Sequence, residues 1–165
     1  MGVKEVVDSF FRKETNIKRI LYDPADVDIK DDTNDLRLEF DIMKENPNGG
    51  GRLYDKIADG AGHYRECPWC VVEVTASDVQ KAKAQIKSTL NHIYRNENEV
   101  RKIAIILDEN RWNDRLGSKH YRIDGDLLFK RRENNNETIT IKNNKDEIRF
   151  DLYCYLVDFE RYGLE

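Results

Sequence analysis

The chain has 165 residues, with 28 Lys or Arg, 32 Asp or Glu and a formal net charge of −4. That length fits about one domain and suffices to bury a core without disulfides, and 39% hydrophobic residues in periodic runs exclude a disordered chain. The mild acidity excludes an overall basic excess for duplex DNA, so any nucleic-acid surface must come from local clustering.

No apolar run reaches the roughly 18 residues of a membrane helix. Met1-Gly2-Val3-Lys4-Glu5 carries no signal-peptide core, so cytoplasm is the expected compartment and no membrane partner is expected. Three cysteines are too few and too odd for a disulfide framework.

Val3, Val6, Val7, Phe10 and Phe11 share one helix face. Ile17 to Tyr22 reads as a short strand ended by Asp23-Pro24. Leu36, Leu38, Phe40 and Ile42 alternate with Arg37, Glu39 and Asp41, which predicts a half-buried strand with Glu39 and Asp41 on its polar face. Asn46 to Gly51 contains three successive glycines and predicts a loop. Arg52 to Tyr64 fits either a short helix or a strand ending near Asp59-Gly60.

Cys70 to Ala76 is β-branched and predicts a strand. Ser77 and Gln80 have the spacing of a capping box. Val79, Ala82, Ile86, Leu90 and Ile93 then form a helical stripe to about Asn96, and Val100 to Leu107 reads as a strand covered on both faces. Strand, helix and strand predict a βαβ crossover. Tyr121 to Lys130 reads as extended, with a tight turn at Asp124-Gly125. Thr138–Lys142 and Ile148–Val157 predict a hairpin joined through Asn143-Asn144. One domain over residues 1–163 is expected, with Leu164-Glu165 read as a vector remnant.

The residue that carries chemistry is Glu73, a carboxylate inside an apolar strand, where it costs several kcal/mol unless compensated. A metal, a cationic partner or a cleft would compensate it. Asp41 or Asp59 upstream is the candidate to converge on it.

Asp41 or Asp59, then Glu73-Val74-Thr75, then a helix with Lys81, Lys83, Gln85 and Lys87, then Arg101–Leu107, resembles the PD-(D/E)XK nuclease superfamily over residues 36–107. That family places an Asp on one strand of a hairpin and Glu-x-Lys on the next, followed by a helix and another strand. The resemblance implies a mixed central sheet with flanking helices, a restriction-endonuclease-like core, here with a C-terminal antiparallel hairpin. It implies an endonuclease or exonuclease that hydrolyses DNA or RNA with Mg²⁺ or Mn²⁺ held by Asp41 or Asp59 and Glu73. Thr75 stands where the family has Lys, so Lys81 or Lys83 is the expected substitute. Arg52, Lys56, Arg65 and Gln85 are the candidate nucleic-acid contacts, and a homodimer or a larger complex is compatible with the sequence.

Two other readings compete. His63, Cys67 and Cys70, with Cys154, have residue types suited to a structural Zn²⁺ site. Alternatively, an inactive nuclease-like fold presents Tyr153, Tyr155 and Tyr162 of its C-terminal hairpin to a protein partner. Cys67-Pro68-Trp69-Cys70 also has thioredoxin-like spacing, but it feeds a strand where that chemistry needs a helix N-terminus.

Overall fold

The apolar stripe at the start of the chain becomes helix α1 (Val3–Arg12), which buries Val6, Val7, Phe10 and Phe11. The computed structural model describes residues 2–12, 16–42, 56–66, 68–111, 118–123, 127–132 and 136–164; between 118 and 132 the only side chain described is Phe129. The Asn46–Gly51 segment, Arg52, Cys67 and the Asp124-Gly125 turn lie outside the described residues.

The predicted mixed α/β architecture is present. Strands β1 (Ile17–Tyr22), β2 (Gly60–Tyr64) and β3 (Trp69–Val74) pair antiparallel in succession. β3 then runs parallel to β4 (Val100–Asp108), and β4 parallel to β8 (Asp146–Val157). β5 (Ser118–Ile123) and β6 (Leu127–Arg132) form a hairpin whose second strand joins β8. The strand order is β1-β2-β3-β4-β8-β6-β5, with β7 (Thr138–Asn143) also paired to β8. The expected β7–β8 hairpin therefore forms, and Asn144 takes a left-handed φ of 59° in its turn, which Asn tolerates better than most residues.

Helix α3 (Val79–Arg95) connects the parallel strands β3 and β4, as the helical stripe predicts. Its cap differs from expectation. Asp78, not Ser77, is the N-cap, and its carboxylate accepts from the Lys81 amide at 3.0 Å. Both residue types cap well, and Asp78 lies one residue nearer the first apolar position.

The predicted strand at residues 36–42 is not a strand. Leu36–Glu39 is a single helical turn, α2, and Asp35 caps it by accepting from the Arg37 and Leu38 amides. Leu36 and Phe40, four residues apart, are buried, while Leu38 is 61% exposed. One turn is too short for helical periodicity to outweigh a chance alternation of polar and apolar residues.

Two cores flank the sheet. Leu36, Phe40, Trp69, Val71, Ile86, Leu90, Ile103 and Ile105 pack on the α3 side. Val7, Phe10, Phe11, Cys70, Val72, Ala104 and Ile106 pack on the α1 side. Alternate residues of β3 and β4 thus serve opposite cores, so both strands read as nearly continuous apolar runs. Leu164 packs against the α1-side core. No helix among the described residues is long and apolar enough to cross a membrane.

Candidate active site

The register of the first three strands places three acids side by side. Tyr22 pairs with Gly60, and Gly60 with Val72. One step further along, the Asp23 amide donates to the Asp59 carbonyl at 3.0 Å. The Asp59 amide donates to Glu73 Oε1 at 2.9 Å, and the Val74 amide donates to Asp59 Oδ2 at 2.8 Å. Asp23, Asp59 and Glu73 follow one another across neighbouring strands, and all three are buried. Strand alternation puts Glu73 on the face of Trp69 and Val71, which is the α3 side.

Helix α3 fixes the approach to Asp59. Thr89 Oγ1 accepts from the Ala58 amide at 2.8 Å and donates to the Gln85 carbonyl at 2.8 Å. Gln85 Nε2 donates to the Ile57 carbonyl at 3.4 Å, and Gln85 is only 6% exposed. Residues 57–59 are therefore held by α3 from one side and by β3 from the other. At the far end of the row, Arg37 Nε donates to Asp23 Oδ1 at 2.9 Å in a buried ion pair.

Burial raises the pKa of Glu73 well above the carboxylate range, and the neighbouring Asp59 raises it further. Burial also raises Asp59, opposed by the Val74 amide and by the side-chain hydrogen bond with Glu73. Two carboxyls that share a hydrogen bond need a proton between them, or a cation in its place. Burial raises Asp23 as well, while the Ala25 amide and the Arg37 guanidinium counter it.

Asp59 and Glu73 present hard oxygen donors, which suit Mg²⁺ or Mn²⁺ and would form part of a coordination sphere. Among the described residues, no group of three or more His, Cys, Asp or Glu side chains gathers for a metal. Among the described residues, further ligands would be backbone carbonyls, with water or substrate completing the sphere.

The two sequence candidates for the partner of Glu73 separate clearly. Asp59 meets it, whereas Asp41 is exposed just after α2, with φ 52°. Lys83 pairs with Glu137 at 2.8 Å, and Lys81 is exposed in the first turn of α3. Lys56 is exposed three residues before Asp59. Arg65 is exposed beyond the opposite end of β2, so it lies away from Asp59. Gln85 is buried and holds a carbonyl, which corrects its reading as a direct nucleic-acid contact.

Of the zinc ligand candidates, the described His63, Cys70 and Cys154 do not gather. Cys70 belongs to the α1-side core and Cys154 to the α3-side core, with the sheet between them. His63 lies beside the Trp69 ring, centroids 4.6 Å apart, on the α3 side. Tyr155 is 3% exposed within the α1-side core, and Tyr153 and Tyr162, half-buried, pack against the same core.

Sequence reasoning missed Asp23, Arg37 and Thr89. Asp23 before Pro24 has the form of a turn residue, and Arg37 that of a solvated strand position. The one available signal was Asp35, a good N-cap residue directly before Leu36, which lies four positions from the buried Phe40.

Searches against protein-family models, curated proteins and solved structures found no match for this chain.

Proposed function

We propose that the chain is a metal-dependent nuclease, a divergent relative of the PD-(D/E)XK superfamily, that hydrolyses phosphodiesters in DNA or RNA. The observation that carries this reading is the buried Asp59–Glu73 pair, just before β2 and on β3, ahead of α3 and β4. That order of acid, acid, helix and strand is the order the superfamily uses.

Asp59 and Glu73 are the residues that would hold the cation. Bound Mg²⁺ or Mn²⁺ supplies polarisation of a phosphoryl oxygen and a lowered pKa for water. Gln85 and Thr89 orient the segment that delivers Asp59. Lys81, exposed at the α3 end nearest Glu73 in the chain, is the cation suited to stabilise developing negative charge, since Thr75 carries none and Lys83 is engaged.

The test is cleavage of labelled single- and double-stranded DNA and RNA in Mn²⁺. The expected result is cleavage by the native chain and by Asp41→Ala, lost in Glu73→Ala and Asp59→Ala. Cleavage that survives Glu73→Ala would overturn the site. No cleavage by the native chain, together with no heat of Mn²⁺ binding in calorimetry, would overturn the function.

A further inference from the structure

The acid pair of the candidate site lies below the surface. Asp59 is 3% and Glu73 4% exposed, and Asp23, Gln85 and Thr89 around them are buried too. A phosphoryl oxygen on a cation held by Asp59 and Glu73 would sit within about 4 Å of their oxygens, twice a metal–oxygen bond. The reacting phosphate must therefore enter the recess itself.

The cations beside the recess are few. Thr89 accepts from the amide, and Gln85 donates to the carbonyl, of the Ile57–Ala58 peptide. Lys81, one turn before Gln85, shares that flank of α3. Lys56 precedes the same peptide, and both lysines are exposed. Arg37 is committed to Asp23 and Lys83 to Glu137. Asp26, exposed in the turn after β1, opposes the two lysines, since its charge reaches both Asp59 and Glu73. By sequence, the undescribed residues 43–55 and 112–117 add Lys44, Arg52 and Arg115 against Glu45, Asp55 and Asp114, which is no net charge.

A duplex fits this arrangement poorly. Its phosphates ride on a stiff, paired helix, so drawing one into a recess means opening base pairs around it. Proteins that hold a duplex by its phosphates make roughly six to ten such contacts, far more than two lysines supply. A single strand bends freely, carries half the charge per length and needs no unpairing.

We propose that the Asp59–Glu73 site takes single-stranded nucleic acid and cuts a duplex only where it has unpaired. The step is hydrolysis: a water oxygen bonds to phosphorus, one P–O ester bond breaks, and the leaving oxygen takes a proton from that water. This deepens the nuclease reading and rests on it.

The test gives the native chain four substrates in Mn²⁺: a single strand, blunt duplexes with G·C or A·T ends, and a duplex with a single-stranded tail. The single strand is expected to be cut at least about a hundredfold faster than the G·C-ended duplex, or about 2.7 kcal/mol, the order of two opened base-pair steps. Cuts in the tailed duplex are expected to lie in the tail and stop at the junction. Where blunt duplexes are cut, the A·T-ended one, which frays more readily, is expected to be cut faster. Fluorescence anisotropy in EDTA reads binding without cutting, and is expected to favour the single strand over the G·C-ended duplex at least about tenfold, as for one opened step. A smaller ratio in either assay, cuts inside the paired part of the tailed duplex, or equal cutting of the two blunt duplexes would overturn the single-strand assignment and leave the nuclease reading standing. Glu73→Gln, which keeps the shape of the site, is expected to abolish every cut. Cuts that survive it, or no cutting of any substrate by the native chain, would overturn the nuclease reading itself.

Discussion

Asp59 and Glu73 hold each other through the backbone: the Asp59 amide donates to Glu73 Oε1 at 2.9 Å, and the amide after Glu73 donates to Asp59 Oδ2 at 2.8 Å. Both carboxyls are raised above their ordinary pKa, mainly by burial, and Glu73 also by the charge of Asp59. The folded chain therefore retains protons that the unfolded chain has released. Stability from this pair is fully present below the unfolded carboxyl range, roughly pH 4, and is lost as pH rises toward the folded values. The metal-free protein is expected to melt at a lower temperature at pH 8 than at pH 5. Glu73→Gln, which keeps the amide acceptor without the charge, should flatten that difference. Mn²⁺ should raise the Tm more at pH 8 than at pH 5, because it must displace the retained proton. Thermal melts by circular dichroism at the two pH values check all three. An identical pH dependence in Glu73→Gln would show that another group sets it.

How much of this was legible follows from length and period. The β3-α3-β4 unit was readable because Val79, Ala82, Ile86, Leu90 and Ile93 keep helical spacing over four turns. Glu73 stood out as a charge among Cys70, Val71, Val72 and Val74. Its partner did not stand out, because pairing Asp59 with Glu73 depends on the β2–β3 register, and the short, glycine-containing β2 has no hydrophobic alternation to declare it. Residues 36–42 failed for the opposite reason: their alternation is real, but it belongs to one helical turn held by Asp35 and by Phe40 against Trp69, ring centroids 4.9 Å apart. Long-range contacts decided both cases, and no local window contains them.

Thr89 offers the separate test of how Asp59 is delivered. Its hydroxyl is the acceptor for the buried Ala58 amide at 2.8 Å. Thr89→Val keeps the shape and removes the acceptor, leaving a buried donor unmatched at a cost of about 1–3 kcal/mol. Thr89→Ser should cost much less. Urea denaturation gives the stability difference, and Mn²⁺ titration of the folded Thr89→Val should show weaker binding if residues 57–59 shift with it.

The Asp23–Arg37 pair is the buried ion pair of the acid row, at 2.9 Å with side chains 3% and 8% exposed. Removing one partner strands the other charge away from water. Arg37→Met is expected to destabilise the fold by about 3–5 kcal/mol, and Asp23→Asn/Arg37→Met by clearly less than the two single changes added together. A double-mutant cycle from denaturation midpoints measures the coupling. Additive single effects would mean that the pair contributes no mutual stabilisation.

Gly62 tests how closely α1 rests on the sheet beneath the site. A Cβ there would lie 2.7 Å from Phe11 Cε1 and 2.8 Å from Cδ1, far inside contact distance. Phe11 is 1% exposed and cannot swing away into solvent. Its ring also packs edge-on to Phe10, centroids 5.3 Å apart, so a shift would propagate along α1. Gly62→Ala is expected to destabilise by about 1–3 kcal/mol through overpacking. Phe11→Leu, which opens space at that point, should recover part of the loss in the double variant although it destabilises alone. Equilibrium unfolding of the four proteins decides it, and a Gly62→Ala variant as stable as the native chain would mean that α1 can lift off β2 without cost.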